Sequence, residues 1–220
     1  MATLLSTKIL AENQKQLILN SGIGLVEYDA INIGFDNSSL DAPIPRNLIF
    51  TSQNGVKGFF TQYPEFQTRE LNIYCVGDKT KLEIEKNGYS VVASANSAEE
   101  LAHMIVNEFN EKQFLYLCGS KRRDELPDLL KKQNISIQEL EVYTTTLNPK
   151  KFNRNFEGVL FFSPSGVQSY CKKNDLNSST AFCIGETTAA EAKKHTQNII
   201  IANKPSIENV IVQAVKKYKK

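Results

Sequence analysis

The sequence predicts an α/β protein with two similar lobes, each a parallel sheet flanked by helices, joined by a two-stranded β linker. Short apolar runs alternate with amphipathic stretches along the chain, which is typical of parallel strands covered by helices. One pattern also occurs twice, because Ile49–Val56 is similar to Phe161–Val167 and Gly77–Thr80 is similar to Gly185–Thr188. The chain has 220 residues, and a common single domain has about 100–150. The length therefore fits two small lobes.

The N-terminal part of the chain predicts three strands and one helix. The strands are Leu4–Ser6, Gly24–Tyr28 and Ile31–Phe35, and the last of them alternates apolar and polar residues like a half-exposed strand. A helix between the first two strands is predicted to end near Gly22, because glycine favours the left-handed conformation that stops a helix. This helix is predicted from the helical spacing of Leu10, Gln14, Leu17 and Ile18.

The middle of the chain predicts a regular succession of strands and helices. The buried strands are Leu48–Phe50, Asn72–Val76, Val91–Ala93 and Phe114–Cys118. A helix follows each strand, and these helices are predicted to begin near Asn54, Thr80, Ser97 and Asp124. Ser97–Glu100 has the pattern of a capping box. Pro127 is tolerated only in the first turn of a helix, which fixes the start of the last one.

The repeat predicts that one lobe is inserted into the other. Glu141–Thr145 is β-branched and alternating, and it resembles Ile31–Phe35 in character. We expect the chain to cross between lobes at these two segments, which would pair as a thin antiparallel ladder and let the lobes open and close. The predicted lobes are residues 1–31 with 147–220, and residues 36–141.

Composition excludes several classes of function. The net charge of +2 and the absence of a basic stripe argue against nucleic-acid binding. No apolar stretch approaches the roughly 20 residues that span a bilayer, and no signal-peptide pattern is present, so we expect a cytoplasmic protein without membrane contact. Four cysteines without a CxxC pair and only two histidines predict neither a disulfide framework nor a metal site.

Hydroxyl residues and glycines follow the buried strands at the starts of helices. A helix N-terminus leaves backbone N–H groups unpaired and binds carboxylates or phosphates. The simpler interpretation of any one such residue is an N-cap without a ligand. Because five such loops occur at one edge of two lobes, we expect a large ligand with several negative charges in a cleft between the lobes. The candidate binding residues are Thr51, Ser52, Gln53, Asn54, Thr80, Ser120, Arg123, Ser163, Ser165, Gly166, Thr187 and Thr188.

No known nucleophile or nucleotide-binding motif is present. The catalytic candidates are therefore hydroxyl groups, above all Tyr143 on the second crossing strand. The alternative for Tyr143 is a structural tyrosine that packs a lobe junction with its hydroxyl in water.

An ordered set of short motifs resembles the uroporphyrinogen-III synthase family and covers nearly the whole chain. The matching segments are Phe50-Thr51-Ser52, Val76–Thr80, Cys118-Gly119 with Arg123 and Leu126-Pro127, Val142-Tyr143-Thr144, Phe161–Gly166 and Ile184–Ala189. One departure occurs after the first strand, where members of the family often have Thr-Arg and this chain has Thr7-Lys8. We therefore add Lys8 to the candidate binding residues, although it lacks the two-pronged geometry of arginine.

The resemblance implies a lyase that needs no cofactor and acts on hydroxymethylbilane, a linear tetrapyrrole with an acetate and a propionate on every ring. Such an enzyme eliminates water, inverts the terminal ring and closes the macrocycle as the type III isomer in heme biosynthesis. The resemblance further implies that Tyr143 helps the hydroxyl group to leave, and that a transient contact forms with the upstream enzyme that makes the bilane. The alternatives are a two-lobed binding protein or sensor for a polyanionic small molecule, and a non-catalytic interaction module.

Overall fold

The computed structural model describes residues 2–35, 43–122 and 124–219. Contacts between Cα atoms divide the chain into two units. The discontinuous lobe comprises Met1–Asn32 and Thr146–Lys220, and the inserted lobe comprises Ile33–Thr145. Within the described ranges, no helix is long and apolar enough to cross a membrane.

The discontinuous lobe has a five-stranded parallel sheet in the order β11-β10-β9-β1-β2. Its strands are β1 (Thr3–Ser6), β2 (Gly24–Glu27), β9 (Gly158–Phe161), β10 (Thr180–Cys183) and β11 (Ile199–Ile201). Its helices are α1 (Glu12–Leu19), α6 (Pro164–Cys171), α7 (Glu186–Ala192) and α8 (Ile207–Tyr218).

Helices cover both faces of this sheet because its strands are apolar on both sides. Leu4 and Leu160 belong to a core with α1 and α8, to which Ile18 and Ile211 contribute. The neighbouring residue Leu5 belongs to the opposite core, with Val159, Phe161 and the buried residues of α6 and α7. Strands buried on both faces are expected of a parallel sheet between helix layers.

The inserted lobe has a six-stranded sheet in the order β3-β8-β7-β4-β5-β6. The strands β4 to β8 are parallel, and β3 is the neighbour of β8 at one edge. The strands are β3 (Ile31–Gly34), β4 (Asn47–Phe50), β5 (Asn72–Val76), β6 (Val91–Ala95), β7 (Gln113–Gly119) and β8 (Ser136–Leu147). The helices are α2 (Gln53–Gln62), α3 (Asp78–Lys86), α4 (Ala98–Glu108) and α5 (Glu125–Lys132), with a 3₁₀ helix at Pro64–Thr68.

This sheet also separates two cores. Phe50 and Leu117 face α2 and α3 together with a cluster of aromatic rings around Phe59. Ile49 and Tyr116 face α4 and α5 on the other side. The predicted α/β class with two parallel-sheet lobes is confirmed.

The two sheets have equivalent strand orders, although the discontinuous lobe is formed by two separate segments of the chain. In the inserted lobe, β5 and β6 lie on one side of β4, and β7 and β8 follow on the other side. In the discontinuous lobe, β10 and β11 lie on one side of β9, and β1 and β2 take the places of β7 and β8. The order therefore reverses between β4 and β7 and between β9 and β1. Open α/β sheets bind ligands at such switch points, outside the carboxyl ends of the strands.

Some local predictions differ from the structure. Helix α1 begins at Glu12, so Leu10 precedes it while remaining buried. Its start is fixed by the Ala11 N–H, which donates to Gln14 Oε1 at 3.1 Å. Leu17 is 45% exposed, because the narrow apolar face of this helix buries only Ile18. Strand β8 begins before the predicted segment, since its first half pairs with β7.

Candidate active site

A cavity of about 400 Å³ lies at the switch point of the inserted lobe. Thr51 and Ser52 line it directly after β4, and Gly119 lines it at the end of β7. Asn96 and Ser97 line it after β6. The N-terminal ends of α2, α4 and α5 therefore meet the carboxyl edge of the sheet around one cavity. Partial positive charge at helix N-termini makes such a cavity suitable for anionic groups.

Ser52 connects helix α2 to Tyr143. It is the N-cap of α2, and its Oγ accepts a hydrogen bond from the Gly55 N–H at 3.0 Å. The same Oγ donates to Tyr143 Oη at 3.3 Å, which is long for a bond between hydroxyls. Because Ser52 is the donor in this pair, the phenolic hydrogen of Tyr143 is available to a ligand in the cavity. Hydrogen bonds that point in one direction along a chain strengthen one another.

Tyr143 reaches the cavity because residue 119 is glycine. Gly119 pairs with Tyr143 across β7 and β8, and the Tyr143 ring lies over its Cα. A Cβ at position 119 would overlap the ring, since its three nearest atoms would be Cζ, Cε2 and Cε1 of Tyr143. The Ser120 N–H donates to the Tyr143 carbonyl at 3.0 Å and holds the backbone there. The absence of a side chain at Gly119 thus leaves room for the ring of Tyr143, the catalytic candidate.

A second tyrosine, Tyr116, lies beside the first and was not predicted. Its hydroxyl is 3.1 Å from Thr51 Oγ1, and its side chain lines the cavity although it is only 3% exposed. Burial raises the pKa of Tyr116, so that the phenol stays protonated near neutral pH. In the sequence it is one apolar residue of a buried strand. A signal was present nonetheless, since the hydroxyl of a buried tyrosine usually needs a partner.

One of the two basic residues at the cavity forms ion pairs with neighbouring carboxylates. Lys121 and Arg122 line it, but the Arg122 guanidinium lies 2.5 Å from a Glu139 carboxylate oxygen and 3.3 Å from Asp124. Lys131 lies 2.9 Å from the other oxygen of Glu139. Partial burial raises the pKa of Glu139, but the bond from Lys131 and the charge of Arg122 outweigh it, and the pKa is lowered overall. These ion pairs hold the Arg122 guanidinium in place, and the neighbouring carboxylates offset part of its attraction for an anionic ligand.

Helix α4 has a cap of a slightly different form from the predicted capping box. Ser97 Oγ accepts from the Glu100 N–H at 3.1 Å, as predicted. The Glu100 carboxylate accepts from the N–H of Asn96 at 2.8 Å, one residue before the N-cap. Pro127 lies in the first turn of α5, as the sequence predicted.

The structure brings three of the predicted residues of this lobe to the cavity and leaves others outside it. Thr51, Ser52 and Tyr143 line it. Gln53 and Asn54 are the first residues of α2 and are half-buried. Thr80 is 4% exposed within α3, and Ser120 Oγ accepts from the Thr145 N–H at 3.1 Å. None of these four lines the cavity, and Arg123 lies outside the described residues.

The predicted residues of the discontinuous lobe lie at its own switch point and at the helix beside it. Ser163 caps α6 by accepting from the Gly166 N–H at 3.1 Å, which repeats the arrangement of Ser52 in α2. Ser165 and Gly166 form the first turn of α6, and Lys8 is exposed just after β1. The remaining two residues begin α7, where Thr187 is exposed and Thr188 is buried.

Among the described residues, no group of three or more His, Cys, Asp or Glu side chains could hold a metal ion. The four cysteines are free thiols. The chemical groups around the cavity of the inserted lobe are hydroxyls, backbone N–H groups, the cations Lys121 and Arg122, and the carboxyl group of Glu125.

Comparison with known structures gives the same fold. The uroporphyrinogen-III synthetase of Helicobacter pylori matches 99% of this chain and 100% of its own, with a TM-score of 0.75 and 19% identity. A mutant uroporphyrinogen III synthase of Thermus thermophilus matches 99% of this chain and 98% of its own, with a TM-score of 0.67 and 12% identity. At these identities the likeness concerns the fold alone.

Comparison of sequences gives the family. A porphyrin biosynthesis protein HemD of Ruminiclostridium josui is 25% identical over 94% of this chain, and the match spans only 45% of that relative's length. The family model described as uroporphyrinogen-III synthase HemD matches residues 13–211. The resemblance found in the sequence motifs is thereby confirmed, and the chain belongs to the uroporphyrinogen-III synthase family, enzymes of tetrapyrrole biosynthesis.

Proposed function

We propose that this chain itself converts hydroxymethylbilane into uroporphyrinogen III, with inversion of the terminal pyrrole ring and loss of water. The observation that carries the proposal is the hydroxyl of Tyr143, which Ser52 holds at the cavity while the phenolic hydrogen stays available. The family relationship supplies the reaction class. The cavity supplies one donor for a leaving hydroxyl group, surrounded by groups that bind carboxylates.

The carboxylates of the bilane match the polar groups of the cavity. Thr51 offers a hydroxyl, the N-terminus of α2 offers backbone N–H groups, and Arg122 offers charge. Each neutral hydrogen bond contributes about 0.5–1.5 kcal/mol and a bond to a charged group about 1.5–3 kcal/mol. Binding is therefore the sum of many modest contacts. A volume of about 400 Å³ suits one end of the linear molecule.

Tyr143 would assist the first chemical step. The pyrrole nitrogen pushes electrons toward the hydroxymethyl carbon, and the hydroxyl group leaves as water when it receives a proton from the phenol. The substituted carbon of the terminal ring then attacks the hydroxymethyl carbon, which gives a spiro carbon without hydrogen. The old bond from this carbon to the methylene bridge of the neighbouring ring breaks, and the free α-carbon of the inverted ring bonds to that methylene carbon instead. The proton that this α-carbon loses restores the phenol, so that water is the only product besides the macrocycle. Orientation of the bilane is the larger contribution, since a well-oriented intramolecular reaction can gain several kcal/mol.

The other predicted residues remain part of the proposal as substrate contacts. They are Gln53, Asn54, Thr80, Ser120 and Arg123 in the inserted lobe and Lys8, Ser163, Ser165, Gly166, Thr187 and Thr188 in the discontinuous lobe. The proposal also includes a transient contact, in the cytoplasm, with the enzyme that releases the bilane. Free bilane closes spontaneously to the type I isomer, so a short transfer favours the type III product.

The test is the isomer ratio of the product. Freshly made hydroxymethylbilane is incubated with the protein, the product is oxidised, and the porphyrin isomers are separated by chromatography. We expect mostly type III isomer from the wild type and a slower reaction from Tyr143→Phe. Tyr89→Phe is the matched control, because the Tyr89 hydroxyl donates to the Phe66 carbonyl in the same lobe and does not line the cavity. Mostly type I product from the wild type would leave a binding protein for polyanions as the function.

A further inference from the structure

Tyr143 lies next to an irregularity of the sheet. Cys118 pairs with Glu141 and the next residue, Gly119, pairs with Tyr143, so that β8 carries one residue more than β7 at this point. A bulge of this kind bends a strand and changes the direction of a side chain. Because successive side chains of a regular strand point to opposite faces, the extra residue decides where Tyr143 points.

Helix α2 holds the bulge at Val142. Gln62, the last residue of α2, donates from Nε2 to the Val142 carbonyl at 2.6 Å and to the Gly58 carbonyl of its own helix at 3.0 Å. One turn earlier, α2 comes so close to the strand that a Cβ at Gly58 would overlap the Val142 carbonyl oxygen. A bulge leaves its extra residue outside the regular ladder, and Gln62 supplies that carbonyl with a donor.

The orientation of the Gln62 amide follows from these two bonds. Its Oε1 is buried and has no hydrogen-bond partner in the described part of the chain. Within the described residues, the Gln62 side chain is therefore held only by its bonds to the Gly58 and Val142 carbonyls, and the second of these lies in the bulge. Val142 itself is fully buried, so its backbone has no solvent to replace the bond.

We infer that Gln62 is a positioning residue that sets the direction of Tyr143 through the Val142 carbonyl. Helix α2 then holds the tyrosine at two points, with Ser52 at its hydroxyl and Gln62 at the preceding peptide group. Gln62 does not line the cavity, so it acts through Tyr143 and not on the substrate. This inference rests on the proposed function of the cavity.

The experiment is a double-mutant cycle between Gln62 and Tyr143. Gln62→Met keeps the length of the side chain and removes the donor. We expect kcat for the type III product to fall about tenfold, less than the 10²-fold that a displacement of about 1 Å can cost, and KM to stay unchanged. In a Tyr143→Phe background the same substitution should have almost no effect on kcat, because the hydroxyl that it positions is gone. Equal losses in both backgrounds would overturn the inference.

A control separates positioning from stability. Asn174 of the discontinuous lobe makes the same pair of bonds, from Nδ2 to the Tyr170 carbonyl one turn earlier at 3.0 Å and to the distant Lys150 carbonyl at 2.7 Å. Asn174→Leu should lower the melting temperature and leave kcat unchanged. If Gln62→Met does not fold, Gln62→Asn, which keeps the amide but is too short to bridge both carbonyls, takes its place in the cycle.

The outcomes also distinguish this inference from the proposed function. A wild type that makes no uroporphyrinogen III would remove the proposed function, and the inference with it. An active wild type with undiminished kcat in Gln62→Met would remove the inference alone. Hydrogen exchange at the Ser120 amide, which donates to the Tyr143 carbonyl, gives a readout without substrate. We expect faster exchange in Gln62→Met, and unchanged exchange would count against stabilisation of the bulge by Gln62.

Discussion

Replacement of Gly119 by alanine tests directly whether the Tyr143 ring packs against the backbone of Gly119. An alanine Cβ would meet three atoms of the Tyr143 ring, and even the farthest of the three would lie at 2.8 Å, inside the 3.0 Å that real Cβ contacts respect. Overpacking of this kind costs about 1–3 kcal/mol. The ring is half-buried and can move aside, so we expect the lower half of that range, about 1–2 kcal/mol. For a chain of this size the melting temperature should fall by about 2–4 °C per kcal/mol.

The partner mutation makes the prediction specific. In a Tyr143→Ala background the ring is absent, and Gly119→Ala should be neutral or stabilising by about 0.5–1 kcal/mol, since glycine is unfavourable in a strand. Urea unfolding of the wild type, the two single variants and the double variant gives the coupling energy between the positions. Equal costs of Gly119→Ala in both backgrounds would refute the reasoning that the ring occupies this space. In the active enzyme, Gly119→Ala should also reduce the rate of type III product formation, by up to about 10²-fold.

Three further results are expected. Tyr143→Phe should lower the rate about tenfold to a few hundredfold, toward the lower end for a general acid, because loss of water from the bilane is already easy; a wild-type rate would reduce Tyr143 to a packing role. Glu139→Gln should destabilise the protein by up to about 1 kcal/mol near pH 7. The folded-state pKa of Glu139 is lowered. Its contribution to the free energy of unfolding is therefore fully present above the unfolded-state pKa of about 4.3 and disappears as the pH falls through the folded-state pKa. A destabilisation of Glu139→Gln that persists at pH 2 would contradict this. Iodoacetamide at pH 8 should label native cysteines more than ~10²-fold more slowly than unfolded ones, because burial raises the thiol pKa values to about 11 or 12. Fast labelling of a native cysteine would contradict the burial of Cys75, Cys118 and Cys183 or the partial burial of Cys171.

The structural roles of the candidate residues could be predicted from the sequence only where those roles are local. Ser52 and Ser163 were recognisable because a hydroxyl before a helix caps it wherever the helix lies, and both accept from the N–H group three residues later. Thr80 was predicted by the same pattern, but it is buried in α3. A hydroxyl residue near the start of a helix can be located along the helix from the sequence. The sequence says little about whether its side chain faces the sheet or the solvent.

Tyr116 and Gln62 illustrate what the sequence pattern could not give. Tyr116 belongs to a run of buried strand residues, and its hydroxyl becomes relevant only because β4 pairs beside β7 and brings Thr51 to it. Gln62 is an ordinary polar residue at a helix end. Its bond to Val142 joins positions 80 residues apart and depends on a single extra residue in β8.

The sequence by itself determined the α/β class, the repeated lobe and the ordered motifs of the family, because apolar periodicity, caps and turns depend on neighbours along the chain. The tertiary structure alone decided that β4 and β7 are adjacent and that their carboxyl ends, with Tyr143 of β8, surround one cavity. Strand order and register depend on which distant surfaces bury each other. A shift of one residue, as at Gly119, reverses the direction of a side chain without any local signal.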